Sequence, residues 1–221
     1  MNTVKSRSAL VGPSILVAIL MMFAYATRAQ EAAADKLGKL RVNGTVKVNG
    51  QPAATGDIVA TGSTVETAKG SSAVVSLGKL GRVEVHESST AKLEFDLISI
   101  NVQNGAKSSS VVSLGKLGRV EAHENTNVNI TTEPSTQTAM LSAGRVRVSS
   151  SSGVTSSVRT SDGEIVSLGS TEFVVDVTCG NTFVAVKRGT VELRAGSTVK
   201  QIAAGGQDTA GTARPGCSVR G

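Results

Sequence analysis

Val74-Val75-Ser76-Leu77-Gly78-Lys79-Leu80-Gly81-Arg82-Val83-Glu84 recurs without a change as Val111 to Glu121, 37 residues further on. The copies continue as Val85-His86-Glu87 against Ala122-His123-Glu124, so the duplication spans 74–87 and 111–124. Lys36-Leu37-Gly38-Lys39-Leu40 is a partial echo one similar step earlier. In each copy apolar and polar residues alternate on both sides of Gly-Lys-Leu-Gly, the pattern of two half-buried strands around a turn. A repeated β unit is most easily accommodated by stacking like on like, so the second copy reads as an added rung.

The same period of two extends outward. Leu40, Val42, Val46 and Val48 alternate with Arg41, Asn43, Lys47 and Asn49, and Asn43-Gly44 and Asn49-Gly50 supply the positive φ angles of hairpin turns. Comparable strand stretches lie at 72–77, 82–86, 91–95, 98–102, 111–114, 145–148, 172–177, 182–187 and 190–193. Nothing after Arg28 carries an apolar stripe of helical period. The expectation is an all-β domain over 36–207, a stack of short strands that is β-solenoid-like or sandwich-like, its thin layers filled by Val, Leu, Ile and Ala. Ser149 to Ser152, with Ser156 and Ser157, reads as a flexible loop between strands, and a Gly/Ala-rich tail follows over 208–221.

One hydrophobic helix is expected ahead of this domain, in 1–29. Lys5 and Arg7 precede an uncharged run from Ser8 to Thr27, and Ala24-Tyr25-Ala26 fits a small-residue cleavage site. The run is either an export signal or, if uncleaved, an anchor touching the membrane through 8–27. With the cations on its near side, both alternatives put the rest of the chain outside the cytoplasm, in the periplasm, on the cell envelope or secreted. In an oxidising compartment the two cysteines, Cys179 and Cys217, become candidates for a disulfide tying the tail to the strand region around Val177.

The 221 residues carry 23 Lys+Arg and 17 Asp+Glu, for a net charge of +6. Lys5, Arg7 and Arg28 belong to the leader, so the remaining excess is mild and forms no basic block. Aromatics are 2% with no Trp, which leaves few platforms for stacking bases, and no nucleic-acid partner is expected. The clustered ligand-type residues are Glu84, His86 and Glu87 with Glu121, His123 and Glu124; stacked copies could bring His86, Glu84, His123 and Glu121 toward one divalent metal. Duplicating a surface strand duplicates its histidine automatically, so the plainer reading is structural, with no metal and no cofactor. Gly78-Lys79-Leu80-Gly81 and its copy match the GxxG clamp of an RNA-binding loop, but that clamp sits between helices and strands flank both copies here. No Walker, GxSxG or HExxH motif occurs, and a serine or metal-dependent hydrolase would have to use His86 or His123.

Several motifs carry a family likeness when taken in order. They are Asn43 to Gly50, Gly56-Asp57, Thr61 to Thr67, Gly81 to Val85, Leu141 to Val148, Gly169 to Val175, Thr182 to Val186, Gly189 to Leu193 and Ala204 to Gln207. On these the chain resembles the FecR-like extracytoplasmic domain family, named after a regulator of ferric-citrate uptake, over about three quarters of its length. The resemblance implies a β-rich domain in the periplasm or on the envelope, with structural glycines and valines and no catalytic residue. It further implies a non-enzymatic module that binds or scaffolds an envelope or extracellular protein or glycan. The alternative is a membrane-anchored periplasmic sensor in signal transduction; with only Met1 to Arg7 left inside, it would need a separate cytoplasmic regulator.

Overall fold

Each alternating stretch becomes a strand because its apolar residues recur with a period of two, which a strand gathers on one face and a helix does not; the period outweighs the helix propensity of residues such as Ala91, Lys92, Leu93 and Glu94 in β8. The computed structural model describes residues 37–96, 99–178 and 180–211. The expected leader helix, Cys179 and Cys217 lie outside the described residues. Strands are numbered β1 to β20 along the chain and form one large sheet that curls, half-barrel fashion, so that its two halves enclose a common core.

The front half runs in spatial order β4 (Ile58–Ala60), β1 (Leu37–Asn43), β6 (Ser72–Ser76), β7 (Arg82–Val85), β10 (Ser110–Ser113) and β11 (Gly118–Ala122), then the second part of β13 (Thr136–Ser150), β16 (Glu172–Thr178), β17 (Asn181–Arg188) and β20 (Gln207–Gly211). The back half runs β3 (Gln51–Pro52), β2 (Val46–Val48), β5 (Ser63–Thr67), β8 (Thr90–Phe95), β9 (Ser99–Asn104) and β12 (Asn127–Glu133), then the first part of β13, β14 (Thr155–Arg159), β15 (Glu164–Ser167), β18 (Thr190–Ala195) and β19 (Thr198–Ala203). Among these pairings only β13 with β14 is parallel. From β6 onward the chain lays a hairpin in front, then one behind, then one in front again, so a rung is two hairpins.

Cross-strand rows fill the core. In front, Leu40, Val75, Val83, Val112, Val120, Val148, Phe173 and Val186 stand opposite one another strand by strand, all buried. Behind, the matching row is Phe95, Ile100, Ile130, Ala139, Val158, Ile165 and Leu193. β13 belongs to both halves: it pairs with β12 as far as Ala143 and with β16 from Gly144. Gly144 takes φ 86° there, and a Cβ would stand 2.5 Å from the Thr126 hydroxyl, so the crossing point requires glycine.

Three local expectations are corrected. Asn49-Gly50 does turn the β2–β3 hairpin, with φ of 52° and 76°, but Asn43-Gly44 carries the chain from the front half to the back instead of closing a hairpin. The Leu37–Leu40 echo is strand β1 and makes no turn like those at Gly78 and Gly115. The serine run is a loop between strands only at 151–154, which turn from β13 to β14. Ser149 and Ser150 end β13, and Ser156 and Ser157 are buried in β14. There the Ser156 N–H donates to Ser167 Oγ, Gln137 Nε2 donates to Ser156 Oγ, and Ser157 Oγ donates to Thr138 Oγ1. Small hydroxyls with partners pack where a larger polar side chain could not.

Candidate functional surface

The two copies of the repeat share several turn and rung bonds, and these explain most of their conspicuous residues. Glu87 accepts the Gly70 N–H at 2.7 Å, and Glu124, its counterpart, accepts the Lys107 N–H at 3.1 Å. Gly70 and Lys107 are themselves equivalent and both have positive φ. The backbone N–H of His86 donates to the Ser109 carbonyl and that of His123 to the Arg145 carbonyl, so each rung is tied to the next at its histidine. Gly78-Lys79-Leu80-Gly81 and Gly115-Lys116-Leu117-Gly118 are the β6–β7 and β10–β11 turns, the first winding into one turn of 3₁₀ helix.

Glu84 and Glu121 both face outward from the front half, on either side of Val111, so two strand spacings, about 10 Å, separate their backbones. The histidine ring of the first copy lies with Nδ1 3.1 Å from Ser109 Oγ. Glu121 lies 3.8 Å from Arg119 and 4.0 Å from Arg147, and Arg145 pairs with Asp176 at 2.8 Å. Burial pushes His123 below the ordinary histidine pKa; Arg145 and Arg147 add to the depression, while Glu121 and Asp176 oppose it. Among the described residues no group of three or more His, Cys, Asp or Glu is placed to hold a metal ion. An open depression lined by Thr45, Lys47, Glu66, Thr67 and Ala68 lies at the β2–β5 end and gathers no acid–base pair with a histidine.

What the topology does gather is an excess of positive charge. The front-half strands carry Lys39, Arg41, Arg82, Arg119, Arg145, Arg147, Lys187 and Arg188 against five carboxylates, Glu84, Glu121, Glu172, Asp176 and Asp208. The back-half strands are balanced, with Lys47, Lys92, Arg159, Arg194 and Lys200 against Glu66, Glu94, Glu133, Glu164 and Glu192. Most of the back-half charges are in close pairs: Lys92–Glu94 at 2.7 Å, Arg159–Glu164 at 2.8 Å and Arg194–Glu192 at 2.6 Å. Lys39 and Arg82 form no ion pair among the described residues. Composition concealed this asymmetry because these cations are scattered from 39 to 188 in the sequence and are assembled only by strand pairing. The one signal available was that Arg82 and Arg119 are equivalent positions of the repeat.

No protein-family profile matches the chain, and neither does any curated protein sequence. Two crystal structures of candidate anti-sigma factors from Parabacteroides distasonis share part of the fold. One has a TM-score of 0.46 and 19% identity over 51% of this chain and 55% of its own. The other has a TM-score of 0.43 and 17% identity over 49% of this chain and 53% of its own. The matched region thus spans about half the length of those proteins, at low identity.

Proposed function

We propose that the chain is an exported, non-enzymatic FecR-like β module that binds or scaffolds another macromolecule of the envelope or extracellular space. The observation that carries this reading is the distribution of its polar chemistry. Charged side chains are spread at strand intervals over a broad outer face, a layout suited to many weak contacts with a large partner. The repeat's carboxylates and histidines are taken up by turn and rung bonds or stand two strands apart, which supports a structural role for them. The ordered motifs from Asn43 to Gln207 and the leader-like run from Ser8 to Thr27 support the compartment. The same reading pairs Cys179 with Cys217.

Fractionation of cells followed by intact-mass measurement tests it. A mass lacking the leader, recovered from the soluble envelope or medium, is the expected result. A full-length mass in the membrane fraction would favour the anchored sensor, whose supporting observation is the twenty uncharged residues from Ser8 to Thr27. Recovery in the cytoplasm would overturn both.

A further inference from the structure

We infer that the front face of the stack is a docking surface for an acidic polysaccharide lying across the strands, along the row Lys39, Ser76, Arg82, Ser113, Arg119 and Ser149. This deepens the function proposed above by naming the face and the partner's chemistry, and rests on that proposal for the compartment.

The row follows from register. Lys39 stands opposite Ser76, Ser76 opposite Arg82, Arg82 opposite Ser113, Ser113 opposite Arg119 and Arg119 opposite Ser149. Residues directly opposite in antiparallel strands project from the same face, so all six line one track across β1, β6, β7, β10, β11 and β13. Cations therefore recur on every second strand, about 10 Å apart, with a hydroxyl between each pair. Lys79 and Lys116, both exposed, sit in the turns that join β6 to β7 and β10 to β11, three residues from the row on either side, and add charge to its rim. Lys39 and Arg82 have no carboxylate partner, and Ser76, Ser113 and Ser149 make no side-chain hydrogen bond among the described residues. Arg119 is shared with Glu121 at 3.8 Å, Glu84 and Glu121 border the track one row further along, and Glu172, opposite Ser149 and paired with Lys187, closes its far end. A partner must therefore present its anions in line with the track.

A linear polyuronate has this layout. In an extended two-fold chain, the carboxylates that turn toward one side recur on every second sugar, and the sugar hydroxyls between them can exchange hydrogen bonds with the serines. Two other polyanions fit less well. A nucleic acid would find no aromatic side chain along the row for its bases, and its phosphates are more closely spaced. A bilayer would find one exposed apolar residue, Ile58 opposite Lys39 at the end of the row, and no other along the track to insert at the headgroup boundary.

The test is binding of the purified mature chain to polygalacturonate, with neutral dextran, duplex DNA and phosphatidylglycerol vesicles as parallel probes. The expected result is binding to polygalacturonate that weakens as salt rises and is weakened a further roughly tenfold in Lys39→Gln/Arg82→Gln/Arg119→Gln. Arg159→Gln/Arg194→Gln, the same change in charge type on the back face, should leave binding unchanged. All the replaced side chains are solvent-exposed, and matched thermal melts of the variants keep the comparison to folded protein. No binding to polygalacturonate, equal losses from the two variants, or binding to DNA or vesicles in its place would overturn the inference. A protein found outside the cytoplasm that ignores polygalacturonate overturns this inference alone; a cytoplasmic protein overturns the earlier reading whatever it binds.

Discussion

Thr67 and Asn104 hold the same station in successive rungs. The Thr67 hydroxyl donates to the carbonyl of His86, and the Asn104 amide donates to the carbonyls of Ala122 at 2.9 Å and of His123 at 3.1 Å. A hydroxyl and an amide thus perform one task, closing the front hairpin of a rung against the strand that leads into it. The structural repeat accordingly reaches beyond the eleven identical residues. The neighbouring pairs Ser71 with Ser108, Ser88 with Asn125 and Ser89 with Thr126 are likewise equivalent, and Ser88 and Asn125 share a φ near 55°, at 55° and 53°.

This equivalence predicts that a whole rung can be removed. Deleting 74–110 joins Ala73 to Val111 and recreates the local sequence, while taking one hairpin from each half and keeping front and back in step. The shortened chain is expected to fold cooperatively with a β-sheet circular dichroism spectrum. Deleting only 72–89 takes a hairpin from the front alone and throws the halves out of step by two strands. That variant is expected to lose its cooperative thermal transition; an intact transition would contradict the alternating-hairpin architecture.

Gly81 lies against the next rung. It adopts φ 110°, and a Cβ would stand 2.0 Å from the Ser113 carbonyl oxygen; its twin, Gly118, meets the Ser149 carbonyl at 2.1 Å. Gly81→Ala is expected to cost about 3 kcal/mol, since neither strain nor contact can be relieved without parting β7 from β10. Gly78→Ala, at φ 59° with open space around it, is expected to cost about 1 kcal/mol. Urea midpoints of the two variants give the comparison directly.

His123 makes stability depend on pH. Its pKa in the fold is lowered beneath 6.5, so the unfolded chain takes up its proton first and the native state is penalised. The penalty is absent above the unfolded value, begins as pH falls through about 6.5, and is complete once pH is below the folded value. Between pH 7.5 and 5, the wild type is expected to lose more stability than His123→Gln does, read from urea titrations at both values. Equal losses would remove His123 from the account.

β20 brings the chain's last described residues beside the β16–β17 turn, since Gly211 stands opposite Asn181. Cys217 follows Gly211 by six positions and Cys179 precedes Asn181 by two, so the described chain leads toward both cysteines from neighbouring points. Native protein is expected to gain two protons in mass on reduction, and Cys179→Ser/Cys217→Ser is expected to lose about 3–4 kcal/mol of stability. An unchanged mass would leave both thiols free.

Much of the strand content was readable because burial imposes a period of two: Val83 and Val85 inside with Arg82 and Glu84 outside, Phe173 and Val175 inside with Glu172 and Val174 less buried. The serines of β14 escaped the same reading because the period was written in residues too small and polar to count as core; their partners, Gln137 and Thr138, come from a different strand. β13 escaped it for another reason. Ser142, Ala143 and Gly144 interrupt the alternation at the point where the strand changes halves, and a sequence break there looks like a turn. The outward cations were each visible, but their alignment depends on register between residues as many as 37 positions apart, as Lys39 and Ser76 are, and no local pattern encodes it.

The double membership of β13 gives the stack a mechanical character. Hairpins on either side of it are held by neighbours in one half only, so a pull on either end would peel them away in succession, each yielding by itself. At β13 the load meets hydrogen bonds to β12 and β14 behind and to β11 and β16 in front, all on one unbroken backbone. Extension should therefore proceed through small early steps and then stall at a single larger one, with the middle of the chain serving as the tether that gives way last.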